Sequence, residues 1–168
     1  ITTVFTMSPS GLFAPPFLLF SGQRLTGIDM QTFPEANFCI SENGWMNGDT
    51  FLEFIVCFDH FLITNGIQKP VLMFIDGHKS HVKLPAAEYC WDNKIVLYCL
   101  PSNATHVMQP CDVGLFGPMK HYWDEEVDTW HRNPENFSRQ ITKGVFPKIL
   151  RNVWEKVKEI PSLSWNTF

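Results

Sequence analysis

The chain has 168 residues, 45% of them hydrophobic and 14% aromatic, with only 18% charged and a net charge of −4. That length is one domain's worth, and six Trp with fifteen Phe can build a core, so a disordered tail is excluded. A negative balance is also not that of a chain covered in phosphate-contacting Lys and Arg. The five cysteines are odd in number and widely spaced, with no C-x-x-C pair. A structural zinc site is therefore not expected, and a reducing, intracellular setting is the simpler reading. Cys57, Cys90 and Cys99 sit among apolar neighbours and are expected to be small core residues. No signal peptide is visible. The longest apolar stretch, Leu12 to Phe20, is short and interrupted by Pro15-Pro16, so no membrane span is expected.

In chain order, Ile1 to Met7 reads as a strand rich in Thr, Val and Phe. Ser8-Pro9-Ser10-Gly11 is a hairpin turn, and Leu12 to Phe20 its partner strand, with the two prolines expected to force an edge or bulged position. Ser21 to Gln31 reads as a loop and Asn37 to Ser41 as a short strand. Thr50 to Asn65 predicts a helix: Thr50 and Glu53 have capping-box spacing, and Phe51, Phe54, Ile55, Phe58, Phe61 and Leu62 share one face. Gly66 supplies the left-handed stop.

Val71 to Ile75 is continuously apolar, the pattern of a strand covered on both faces. Lys83 to Trp91 follows as a short helix with Pro85 in its first turn, and Ile95 to Leu100 as another buried strand. Strand, helix and strand together predict a parallel pair with a right-handed crossover. Val113 to Trp130 reads as a helix with an irregular start, its stripe made by Leu115, Met119, Trp123, Val127 and Trp130. A last helix covers roughly Phe146 to Glu159, with Ile149, Leu150, Val153, Trp154 and Val157 on one side. Residues 1–160 are expected to form one domain and residues 161–168 a poorly anchored tail.

Two aspartates carry the chemistry. Asp76 closes the apolar run Val71-Leu72-Met73-Phe74-Ile75 and is followed by Gly77-His78-Lys79-Ser80-His81. Asp112 closes the phrase from Leu100-Pro101 through Asn103, Thr105 and Gln109-Pro110-Cys111. Sites in parallel sheets gather at the carboxyl ends of strands, where Asp76 falls. Paired carboxylates are hard oxygen ligands suited to Mg²⁺ and to phosphate chemistry. The plain alternative is that Asp76-Gly77 is a turn and Asp112 a helix N-cap. The run Asp124-Glu125-Glu126 reads as a solvated helix face, with a substitute metal ligand as the rival reading. The basic C-terminal residues Lys143, Lys148, Arg151, Lys156 and Lys158 fit an ordinary amphipathic helix more closely than a phosphate-binding surface.

Those two phrases, with 35 residues between the aspartates, resemble the catalytic half of the DDE superfamily of transposase endonucleases. The closest likeness is to the pogo/Tigger/Jerky branch, which includes centromere protein B-like domesticated relatives. Val113-Gly114, Phe116, Lys120, the Ser8-to-Pro16 stretch and Gly44-Trp45-Met46 extend the likeness over about residues 1–130. The resemblance implies an α/β fold of the ribonuclease-H-like kind, a mixed sheet flanked by helices. It also implies Asp76 and Asp112 as catalytic metal ligands for Mg²⁺ or Mn²⁺ in a two-metal site. The family uses three acids, the first on a strand that would precede Ile1, so the chain is expected to be N-terminally truncated. The implied activity of the intact parent is metal-dependent DNA strand cleavage and transfer in the nucleus. The alternative is a domesticated DNA- or chromatin-binding protein without chemistry, and a third is an unrelated hydrolase of small phosphates. Expected partners are DNA and a second copy of the chain, with no membrane.

Overall fold

The structure, a computed structural model, describes residues 1–75, 83–100 and 111–160, the side chains of residues 112 and 113 excepted. Strands β1 (Thr2–Val4), β2 (Phe17–Ser21) and β3 (Asn37–Ser41) form one sheet in that order. β1 runs antiparallel to β2, and β3 parallel to it. Helix α1 (Gly48–Thr64) leads to β4 (Val71–Ile75), α2 (Leu84–Asp92) and β5 (Ile95–Cys99), and β4 pairs with β5 in parallel. A π-helical turn (Cys111–Leu115) opens α3 (Phe116–Arg132), and α4 (Phe146–Lys158) closes the described chain. The class is mixed α/β, as the sequence predicts.

The hairpin forms at its predicted turn, where Gly11 N–H donates to Ser8 O at 3.0 Å and Gly11 adopts φ +82°. Pro15-Pro16 does not push the second strand to an edge. The prolines stand just before β2, which begins at Phe17 and is the central strand of its sheet. Missing N–H groups cost nothing there, and Pro16 O still accepts from Asn37 N–H at 2.8 Å. β2 is buried on both faces: Phe17 and Leu19 face α1, whereas Leu18 and Phe20 face α3 and α4.

α1 starts two residues before the predicted Thr50. Asn47 is the N-cap, its Oδ1 accepting from Asp49 and Thr50 N–H at 3.0 Å each, while Thr50 Oγ1 accepts from Asn47 N–H at 2.9 Å. Thr50 is thus the third helical position of the capping box. Glu53 is released from that role and accepts instead from Cys39 Sγ on β3 at 3.0 Å. Burial, that hydrogen bond and the glutamate's negative charge together push the Cys39 thiol up to about 12. Gly66, at φ +63°, ends the helix as predicted.

The phenylalanine face of α1 is the floor under both sheets. Phe51, Phe54, Ile55, Phe58 and Leu62 form one cluster with Phe17, Leu19 and Cys39 of the first sheet and Met73 and Ile95 of the second. Phe17 meets Phe54 edge-on at 5.6 Å. A second cluster joins Leu18, Phe20 and Phe33 to Leu115, Met119, Leu150, Val153, Trp154 and Val157. Cys90 is buried as expected and Cys57 is half-buried, but Cys99 is exposed at the end of β5, which among the described residues pairs with β4 alone.

Among the described residues, one charged side chain is buried in this core. Asp59 on α1 is 2% exposed. Lys69, in the segment entering β4, makes a close ion pair with its Oδ1, and Tyr89 on α2 donates to its Oδ2 at 3.2 Å. The trio ties α1, α2 and the start of β4 together. Burial and the Asp59 charge both hold the Tyr89 phenol above its usual range.

Two expected outcomes follow from this packing. Phe54→Ala should lower unfolding free energy by about 3–5 kcal/mol in urea titrations, by transfer and cavity losses. Lys69→Met strands a buried carboxylate and should cost about 3–5 kcal/mol, part of which Asp59→Leu in the same chain restores.

Candidate functional site

The sequence phrases that carry Asp76 and Asp112 leave from adjacent points of one small sheet. β4 ends at Ile75, immediately before Asp76, and β5 ends beside it in register, Ile75 opposite Cys99. Leu100 N–H then donates to Ile75 O at 2.8 Å, one rung beyond the strands. The segment that runs on to Asp112 therefore starts hydrogen-bonded to the residue that precedes Asp76. Asp76 itself lies outside the described residues, as do His78, Ser80, His81, Asn103, Thr105 and Gln109. The backbone of Asp112 lies in the π-helical turn, and its side chain is outside the description.

That turn is anchored at its far end. Leu115 is fully buried against Leu18, Phe20 and Trp154. Phe116 meets Phe5 edge-on at 6.4 Å, and Phe5 stacks on Trp154 at 5.4 Å. The irregular start predicted around Gly114 and Gly117 is thus a wider helical turn that carries the chain from Cys111 into α3. Wide turns of this kind are common near functional positions.

The acidic run on α3 has a defined role that the sequence did not disclose. Glu126 accepts from Asn152 at 2.8 Å and pairs with Lys156 at 2.9 Å, while Glu125 pairs with Lys156 at 3.2 Å and His121 at 3.3 Å. Burial opposes ionisation of Glu126, but the hydrogen bonds from Lys156 and Asn152 and the lysine charge outweigh it, and its pKa is lowered. These two glutamates clasp α3 to α4, and Glu126 is largely covered, while Asp124, Glu125 and Asp128 stay exposed as a solvated face requires. Their partners on α4 lie some thirty residues downstream, so local spacing reveals only the His121–Glu125 pair. Lys158 is likewise committed, to Glu35 at 3.1 Å and Glu155 at 3.0 Å. The basic C-terminal region is accordingly in part an ion-pairing surface, in line with the amphipathic-helix reading. Among the described residues no cluster of three His, Cys, Asp or Glu could hold a metal ion. No described helix is long and apolar enough to cross a membrane.

The lowered Glu126 carboxyl has a signed consequence. Its contribution is fully present above the ordinary value of 4.5 and is lost as pH falls through the lowered folded value. Glu126→Gln should therefore flatten the loss of stability below about pH 4.5, measured by thermal melts across an acid series.

Comparison with known proteins identifies the family. A family model described as DDE superfamily endonuclease matches residues 14–162. The protein named MFS-type transporter clz9, from Cochliobolus lunatus, is 28% identical over 130 residues, covering 76% of this chain and 14% of that protein. The chain thus spans about a seventh of that relative's length, and its printed name refers to the whole. No solved structure matches the chain. The match spans β2 to the end of α4 and takes in both aspartate phrases, so the chain belongs to the DDE superfamily endonuclease family.

Proposed function

We propose that this chain carries part of the centre of a metal-dependent DNA strand-cleaving and strand-joining enzyme, with Asp76 and Asp112 as its metal-holding carboxylates. The observation that carries this reading is the rung at the carboxyl end of the parallel pair. Leu100 N–H bonds to Ile75 O at 2.8 Å, so both aspartate-bearing segments depart from one place. Ligand sites form where strands of a parallel sheet end and the chain diverges. The family match over residues 14–162 supports the same reading.

The donor set fits a hard divalent cation. Two carboxylates are hard oxygen ligands that suit Mg²⁺ or Mn²⁺, whereas a set that also drew on the neighbouring His78 and His81 would suit a transition metal. Bound at such carboxylates, a pair of these ions supplies charge neutralisation for an in-line displacement at phosphorus. In this reading the chain's own contribution is a sheet end from which both acid-bearing segments depart and a buried Leu115 that anchors the turn holding the Asp112 backbone. Glu125 and Glu126 are engaged with Lys156, which leaves them out of the ligand set.

The reading also specifies the architecture. A ribonuclease-H-like sheet would make β1–β2–β3 and β4–β5 parts of one sheet, joined by a further strand between β1 and β4. Such a strand would bring a third acid. Both sheets already rest on the same face of α1. DNA is the substrate this reading requires, and a nuclear location follows from it.

In the intact polypeptide that contains this chain, Asp76→Asn and Asp112→Asn should each abolish Mn²⁺-dependent nicking of plasmid DNA while leaving the circular dichroism spectrum unchanged. Retained nicking by either variant would refute its metal role. DNA binding without nicking by the parental protein would favour the domesticated, non-catalytic alternative.

A further inference from the structure

The connection from β3 to α1 crosses the ends of the strands. Gly44 closes against the end of β2: it adopts φ +77°, and a Cβ there would lie 3.1 Å from Ser21. Thr2, at the start of the antiparallel β1, donates from Oγ1 to Gly44 O at 2.8 Å. Gly48 then opens α1 beside α2, where a Cβ would overlap the Lys83 side chain. Lys83 is the N-cap of α2, on the return from β4. The connection therefore lies at the end of the molecule to which β4 delivers Asp76. Within it Trp45 is held by its backbone, N–H donating to Asn43 Oδ1 at 3.0 Å and O accepting from Ser41 Oγ at 2.9 Å. Met46 beside it packs into the core, but Trp45 is 69% exposed.

Two ammonium groups flank this tryptophan. Lys143 Nζ donates to Ser21 O and, at 2.8 Å, to Ser21 Oγ, beside Gly44. Lys83 lies on Gly48, its Nζ 3.8 Å from Asp49 with both side chains more than half exposed. An ammonium has three donors, so each lysine keeps one for a further acceptor. Glu42 and Asp49, both exposed in the same connection, bring the local charge near zero. That balance does not suit a long track of duplex phosphates, but it suits one base face with a phosphate on either side. We propose that Trp45 is the stacking platform for one unpaired base of the DNA strand, with Lys83 and Lys143 contacting the phosphates that flank that nucleotide. The proposal rests on the DNA-cleavage reading above and adds positioning residues to it. A base turned out of the stack beside the reacting phosphate meets a π-face at Trp45, and an indole accepts any base. Because the backbone of Trp45 is already fixed, only its two side-chain torsions are ordered on binding.

The test is run with divalent metal chelated, so its outcome is independent of the metal chemistry. In the intact polypeptide that contains this chain, binding of a labelled oligothymidine is followed by fluorescence anisotropy across a salt series. Trp45→Ala should raise the dissociation constant about tenfold, and Trp45→Phe, which keeps a ring to stack on, should recover most of that loss. Lys83→Ala and Lys143→Ala should each lower the slope of log affinity against log salt by about 0.7. With one thymine replaced by 5-iodouracil, near-ultraviolet irradiation of the parental complex should crosslink the strand to Trp45, read by mass spectrometry of the peptides. Equal affinity of Trp45→Ala and the parental protein would overturn the proposal. So would crosslinks confined to other residues, or no binding of oligothymidine. Each of those results leaves the metal role of the aspartates standing, because that role is read separately from nicking by Asp76→Asn.

Discussion

Everything in this fold rests on one amphipathic helix serving two sheets. The phenylalanine face of α1 packs against Phe17, Leu19 and Cys39 on one side and Met73 and Ile95 on the other. No backbone ladder joins β1–β2–β3 to β4–β5 among the described residues. Burial of apolar surface is nondirectional, so it can hold two hydrogen-bonded units against one floor without fixing their separation to a strand spacing. Directional contacts then fix the helix to its neighbours. Cys39 reaches Glu53 from the first sheet, and Lys69 reaches Asp59 at the start of the second.

The acid-bearing segments inherit that arrangement. β4 is positioned at its start by the Asp59–Lys69–Tyr89 trio and along its length by Met73 against α1. Its end is tied to the onset of the next segment through Ile75 and Leu100. The π-helical turn that holds the Asp112 backbone is fastened from the other layer, by Leu115 among Leu18, Phe20 and Trp154.

Local pattern made much of this legible. Gly66 marked the end of α1, the spacing of Ile149, Leu150, Val153, Trp154 and Val157 marked the inner face of α4, and the two phrases around the aspartates marked the family. What misled was context. Thr50 and Glu53 have capping-box spacing, yet Asn47 offers a cap one turn earlier and Glu53 is taken by a cysteine on another element. An apolar run such as Val71 to Ile75 does not say how many of its faces are covered, and here Leu72 and Phe74 stay half open. The role of Glu126 in the acid run of α3 was hidden because Lys156 and Asn152 lie on a different helix. Long-range polar pairing leaves no periodic trace in a sequence.

The seam between β3 and α1 has a chemical corollary. A thiol as reluctant to ionise as Cys39 supplies almost no thiolate at neutral pH, and the thiolate is the form that electrophiles and oxidants attack. Cys57 and Cys90, also raised chiefly by burial, share that inertness. Oxidants and alkylating reagents would reach the exposed Cys99 before the buried Cys39 and Cys90.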